Sequence, residues 1–134
     1  MCKLFVHANS HLWACKTKSL RIEGFVTSIR LEVFFWDILE ELSFRDDITV
    51  NQIITKLYLE STDAEHDIGN FTAFLRVCCS RYLSLMADGV ITREVGSPLH
   101  NVDTEHIIEQ ETRRNMQRKA LFNSDKFIIN KTAS

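Results

Sequence analysis

The stretch Phe25-Val26-Thr27-Ser28-Ile29-Arg30-Leu31-Glu32 decides the fold. It alternates as an extended chain does: Thr27, Ile29 and Leu31 fall on one face, Val26, Ser28 and Arg30 on the other. One face is partly apolar; the other is small, polar and basic. The stretch runs straight into a helical pattern, and no equally good partner strand comes after it. A strand left alone exposes a row of unpaired N–H and C=O groups. This one therefore requires a partner, and the same strand of a second copy is the cheapest. The expected fold is mainly α: one short strand plus helices, intertwined as a homodimer. A one-residue slip would exchange Ile29 and Leu31 for Ser28 and Arg30 and bury the arginine, so the register is well specified.

Downstream, Phe35, Leu39 and Leu42, with Trp36 and Ile38 beside them, recur at helical spacing from near Glu32. Arg45-Asp46-Asp47 ends that helix. Thr49 and Gln52 are spaced as a capping box that opens a second helix, with Ile53, Ile54, Leu57 and Tyr58 as its apolar face. Phe35, Trp36, Leu39, Leu42, Ile53, Ile54 and Leu57 are the expected core. Residues 61–69 read as a loop. A third helix starts after Asn70 as cap and carries Phe71, Phe74, Leu75, Cys78, Tyr82 and Leu85 as a stripe; Asp88-Gly89 stops it. Cys78 reads as a core residue. Arg76 and Arg81 read as surface or ion-paired residues.

Upstream, Leu20 and Ile22 alternate with Ser19, Arg21 and Glu23, and Gly24 interrupts the pattern. This reads as a strand or extended arm that bends at Gly24. Residues 1–17 form an N-terminal arm: Leu4-Phe5-Val6 reads as a short strand, and Asn9 or Ser10 as the cap of a short helix through Trp13. Residues 18–88 form the main domain. Residues 89–134 are a linker, containing Pro98, and a charged extension. Asp103 caps an expected helix to Leu121, with Glu109 and Arg113 as an i,i+4 pair. Phe127-Ile128-Ile129 reads as a small strand or an adhesive segment. No internal repeat and no low-complexity segment stands out.

The formal net charge of −2 hides a division along the chain. Residues 1–31 carry a net +4, whereas residues 32–70 carry −8. The positive field lies on the strand and its approach, and a partner responds to the local field. No apolar run reaches the roughly 18–20 residues of a membrane span, and the N-terminus makes a poor signal peptide. Cys2, Cys15, Cys78 and Cys79 therefore read as free thiols in a reducing cytoplasm. Cys2, His7, His11 and Cys15 are chemically suited to zinc, but they lack CxxC pairs and read rather as scattered surface and packing residues. Cys2 with a freed α-amine would be an N-terminal nucleophile. No motif for an oxyanion hole or substrate pocket accompanies it, so an enzyme is not expected.

The text SLRIEGFVTSIRLEVFFWDILEELSFRDDITVNQIITKLYLE, followed by NFTAFLRVCCSRYL, resembles the bacterial ribbon-helix-helix domain proteins of the longer single-domain type. The opening MCKLF and the basic Lys16-Thr17-Lys18-Ser19-Leu20-Arg21 look similar too. The resemblance covers residues 2–86 and leaves 87–134 outside. It implies a homodimeric transcription regulator whose antiparallel two-stranded ribbon enters the DNA major groove, with no cofactor. The outward strand positions carry over onto Val26, Ser28 and Arg30. Arg30 can give two parallel hydrogen bonds to guanine. Val26 departs from the polar or basic residue usual there. The start of the second helix, Thr49, Val50 and Asn51, would offer N–H groups to a phosphate. Lys16, Lys18 and Arg21 would hold the flanking backbone. The alternative is a protein-interaction module, such as an antitoxin whose tail, residues 103–134, grips a partner protein.

Overall fold

The deciding stretch is a strand, and its partner lies in the same chain. The structure, a computed structural model, describes residues 1–64 and 70–133, with side chains described as far as residue 124. In chain order it has α1 (Cys2–Val6), a 3-10 turn (Ser10–Trp13), β1 (Cys15–Ile22), β2 (Phe25–Glu32), α2 (Val33–Arg45), α3 (Val50–Asp63), α4 (Phe71–Ala87) and α5 (Thr104–Ala133). Strands β1 and β2 pair antiparallel over their full lengths, from Ile22↔Phe25 to Cys15↔Glu32. This corrects the expectation that a second copy supplies the partner strand.

The reason is local. Chain reversal takes only Glu23 and Gly24, both with positive φ, 51° and 85°. Two left-handed residues in a two-residue loop make the primed turn whose twist matches the flanking strands. Closing so short a loop costs far less entropy than recruiting a second molecule. The bend expected at Gly24 is there, and it closes a hairpin.

On the inner face of the ribbon Leu20, Ile22, Ile29 and Leu31 are buried, each worth roughly 1.5–3 kcal/mol of apolar burial. Thr27 shares that face beside the turn and stays exposed. The backbone N–H of Val33 donates to Ala14 O at 2.8 Å, tying the start of α2 to the approach of β1. Helix α2 encloses Trp36, Ile38 and Leu39, and α3 encloses Ile54. Phe35, Leu42, Ile53 and Leu57 are only half-buried. The rest of the core comes from the ribbon and from Leu75, Cys79 and Tyr82 of α4. The buried thiol is thus Cys79, not Cys78; its Sγ lies 3.8 Å from Phe35 O. Burial pushes its pKa up to about 12.

The expected caps are present. Thr49 and Gln52 close the capping box, Asn70 Oδ1 accepts from Ala73 N at 3.1 Å, and Asn9 caps the 3-10 turn. Leu4-Phe5-Val6 is helical rather than extended. Ser61 to Asp63 belong to α3; residues 65–69 of the expected loop lie outside the described residues. Arg45, 5% exposed, is a buried charge with partners: Nε donates to Ser97 O at 3.0 Å and Nη1 to Tyr82 Oη at 3.1 Å. Tyr82 in turn donates to Glu41. Asp46 Oδ1 accepts from Leu99 N at 2.6 Å. These bonds hold the segment around Pro98 against the end of α2, so part of the expected linker is docked.

The chain forms two compact units, residues 1–82 with 94–100, and residues 83–93 with 101–134. In the second, Asp103 Oδ1 caps α5 by accepting from His106 N at 3.2 Å. Arg118 Nη1 donates to Asp88 Oδ1 at 2.5 Å, and this guanidinium holds the Asp88 carboxyl below its usual range. The expected Glu109–Arg113 pair is formed, at 3.5 Å. Phe127-Ile128-Ile129 lie within α5, not in a strand. A helix once nucleated extends at little further cost.

Candidate nucleic-acid interface

Residues directly opposed in an antiparallel pair share a face. The register therefore assembles one surface from both strands: Thr17 with Arg30, Ser19 with Ser28, and Arg21 with Val26. All six are exposed. The Ser19 and Ser28 hydroxyls meet at the centre, 3.4 Å apart, with the arginines at diagonally opposite corners. No carboxylate is among the six. Glu32 lies at the far end of this face, and its carboxylate is held by Arg76 Nε at 2.9 Å. That bond keeps the Glu32 carboxyl below its usual range. Arg76 is thus ion-paired, as expected, and it ties α4 to the point where the ribbon enters α2.

Of the expected site residues, Arg21, Val26, Ser28 and Arg30 share the open face of the ribbon. Val26, Ser28 and Arg30 project outward as anticipated, and Arg21 joins them from β1. Arg21 also shares a cleft with Ile48, Asn51, Gln52, Thr55 and Lys56, which brings the first turn of α3 beside the ribbon. At that turn Thr49 Oγ1 accepts from Gln52 N at 3.1 Å, and Thr49 N donates to Gln52 Oε1 at 2.8 Å. The hydroxyl of Thr49 is therefore occupied by the cap. The N–H groups of Val50 and Asn51 are the ones at the helix end that neither bond of the capping box uses.

Lys16 and Lys18 fall on the other face. Lys18 Nζ sits 4.6 Å from the centre of the Trp36 ring, and Trp36 Nε1 donates to Lys16 O at 2.9 Å. Both lysines line a cleft with Asp37 and Glu40. They lie beside an aromatic ring and acids, not beside Ser28 and Arg30. Thr17 and Ser19 take the outward positions instead. Their signal was the alternation of Leu20 and Ile22 continued two residues upstream.

Cys2, His7, His11 and Cys15 do not converge. Among the described residues no three His, Cys, Asp or Glu side chains gather as metal ligands would. Among the same residues, no helix is long and apolar enough to cross a membrane.

A two-stranded antiparallel ribbon with an open polar face, backed by a helical hairpin, defines a class of β-ribbon module. The family comparison agrees: a model described as a ribbon-helix-helix domain matches residues 15–83, just over half of the chain. The chain belongs to the ribbon-helix-helix domain family. Among solved structures it is similar to an uncharacterized protein from Bordetella pertussis Tohama I. The two share 42% identity and a TM-score of 0.76, over 80% of this chain and 86% of that one. No curated protein matches the chain.

Proposed function

We propose that the chain is a sequence-specific DNA-binding regulator of transcription that lays its ribbon in the major groove. The observation that carries this reading is the open face of Thr17, Ser19, Arg21, Val26, Ser28 and Arg30, basic at two corners, with the nearby Glu32 carboxylate neutralised by Arg76. The major groove admits a two-stranded ribbon, and arginine paired with guanine O6 and N7 is its commonest specific contact. Ser19 and Ser28 donate to or accept from base edges, and Val26 offers its methyls to a thymine methyl. The N–H groups of Val50 and Asn51 hold a flanking phosphate, with Arg21 beside them. Helix α2 and its acids stand behind the ribbon, away from the duplex.

The homodimer expected from the sequence remains part of this reading: β2 finds one partner strand within its own chain, and each strand of the two-stranded sheet keeps one open edge for a second copy. The site of action is the compartment that holds the DNA, the cytoplasm of a bacterial cell. No catalytic step and no cofactor enter the reading.

Selection of duplexes from a random pool, followed by a salt titration, tests it. An enriched motif, with log affinity that falls linearly in log salt, is the expected result. Failure to enrich any motif above the starting pool would overturn the reading.

One observation favours a protein partner as well: α5 exposes Ile108, Met116, Leu121 and Phe122 among its charges. On that second reading residues 103–134 grip a partner protein, as an antitoxin does. Co-purification of one stoichiometric polypeptide, lost on truncation at residue 103, is the expected result; unchanged partners after truncation would end it.

A further inference from the structure

On the side of the ribbon away from its open face, β1 and α2 border a cleft of about 480 Å³, within the size range of sites that take small molecules. One wall is β1, with Lys16 and Lys18 two residues apart on one face of the strand. The other is the first half of α2, where Asp37 and Glu40 stand three apart on one face of the helix. Trp36, 2% exposed, forms the floor, and Lys18 Nζ rests 4.6 Å from the centre of its ring. Two hydrogen bonds fix the walls to one another: Val33 N donates to Ala14 O at 2.8 Å, and Trp36 Nε1 to Lys16 O at 2.9 Å. Charges of both signs therefore face one cleft whose walls are held in place. Among the described residues, no ion pair joins either lysine to either acid. The opposite charges share the space without matching each other across it.

We infer that this cleft binds a free α-amino acid. The signs of the charges make the selection. A simple anion would meet Asp37 and Glu40, and a metal ion or other simple cation would meet Lys16 and Lys18. A ligand that carries both signs satisfies both walls. In an amino acid the carboxylate and the ammonium sit on one carbon, which suits walls tied together by hydrogen bonds. The carboxylate lies toward Lys16 and Lys18, and the ammonium toward Asp37 and Glu40. Lys18 exchanges its place over the Trp36 ring for the carboxylate, because a charge-assisted hydrogen bond is stronger than an exposed cation–π contact. The ring face that Lys18 leaves then takes the side chain of the ligand. The inference goes beyond the DNA reading. The parity of β1 sets Lys16 and Lys18 opposite the outward residues, so an occupant of the cleft leaves the open face free.

The test uses the full chain without DNA. Calorimetric titration with each of the common free amino acids is followed by titration with the N-acetyl and amide derivatives of any that binds. The expected result is saturable binding of at least one amino acid, weakened about 10-fold or more by removing either charge from the ligand. Lys16→Gln and Asp37→Asn should each weaken it by a similar factor. Both side chains are exposed, and circular dichroism of each variant confirms that it folds. Cys15 lines the same cleft and Cys2 does not, so the bound amino acid should slow maleimide labelling of Cys15 and leave that of Cys2 as it was. Absence of binding by every amino acid would overturn the inference. So would derivatives that bind as tightly as the parent, or binding that neither variant weakens and that leaves Cys15 unprotected. Each of these results leaves the DNA reading standing, since that reading is tested on duplexes with no amino acid present.

Discussion

The pairing of β1 with β2 in one chain is the point on which the geometry of the face turns, and a disulfide can report it. Ser19 and Ser28 Oγ atoms lie 3.4 Å apart. A disulfide needs its sulfurs at about 2.05 Å and its Cβ atoms near about 3.8 Å; directly opposed residues of an antiparallel pair bring their Cβ atoms to about 4.5–5.5 Å, so a small backbone adjustment closes the gap. In a background lacking the exposed Cys2 and Cys15, Ser19→Cys with Ser28→Cys should oxidise to a bond within the chain. The bond closes a loop of about ten residues, which the chain-entropy relation values at about 2.5–3 kcal/mol. That should raise the melting temperature by roughly 10 °C, reversibly with reductant. Non-reducing electrophoresis should show a monomer. The single variants Ser19→Cys and Ser28→Cys are the controls and should form no bond within the chain. A double variant that oxidises only to a covalent dimer, with no bond within the chain, would refute the in-chain ribbon.

Three more outcomes can be read from the packing. Gly24→Ala leaves the Cβ in open space but places it at φ +85°, so it should cost about 1–2 kcal/mol in urea unfolding from backbone strain alone; an unchanged midpoint would contradict the turn. Arg76→Ala should cost about 1 kcal/mol at neutral pH, since both partners of this ion pair are partly exposed. Because Arg76 lowers the Glu32 pKa below 4.5, the stabilisation is complete above that pH and is lost as pH falls through the lowered value. The gap between wild type and variant should therefore close in acid, and a gap that persists at about pH 2 would show that the pair is not its source. Maleimide at neutral pH should label Cys2 and Cys15 rapidly and Cys79 only on unfolding, since the first two are exposed and Cys79 is buried with a pKa of about 12; rapid labelling of Cys79 in the native protein would contradict its place in the core.

The helices were legible because their signals are local. A capping box at Thr49 and Gln52, an Asx cap at Asn70 and another at Asp103 each depend on residues three positions apart, and each is formed. The core was legible where period and burial agree, as at Trp36, Leu39 and Ile54, and less so on α4, where the fully buried thiol is one residue from the one expected. The buried Arg45 was not legible as such. Its partners Ser97 and Tyr82 are 52 and 37 residues away in sequence, and no local pattern announces a pairing at that distance.

The site was half legible, and the missing half has a specific cause. The outward triplet Val26, Ser28 and Arg30 comes from period-2 alternation alone. Its neighbours depend on which strand lies alongside. With a second β2 as partner, the opposing residues would again be Val26, Ser28 and Arg30, and Lys16 and Lys18 would be free to hold phosphates. With β1 as partner they are Thr17, Ser19 and Arg21, and the parity of β1 turns Lys16 and Lys18 to the opposite face, where Lys18 covers Trp36. The choice between these pairings was present in the sequence as the two-residue turn Glu23-Gly24 between two alternating segments. Strand alternation read one segment at a time does not reveal it. The parity of β1 leaves Arg21 and Arg30 as the basic side chains of the ribbon on the open face, and specificity there should respond to these arginines and to Lys18 hardly at all.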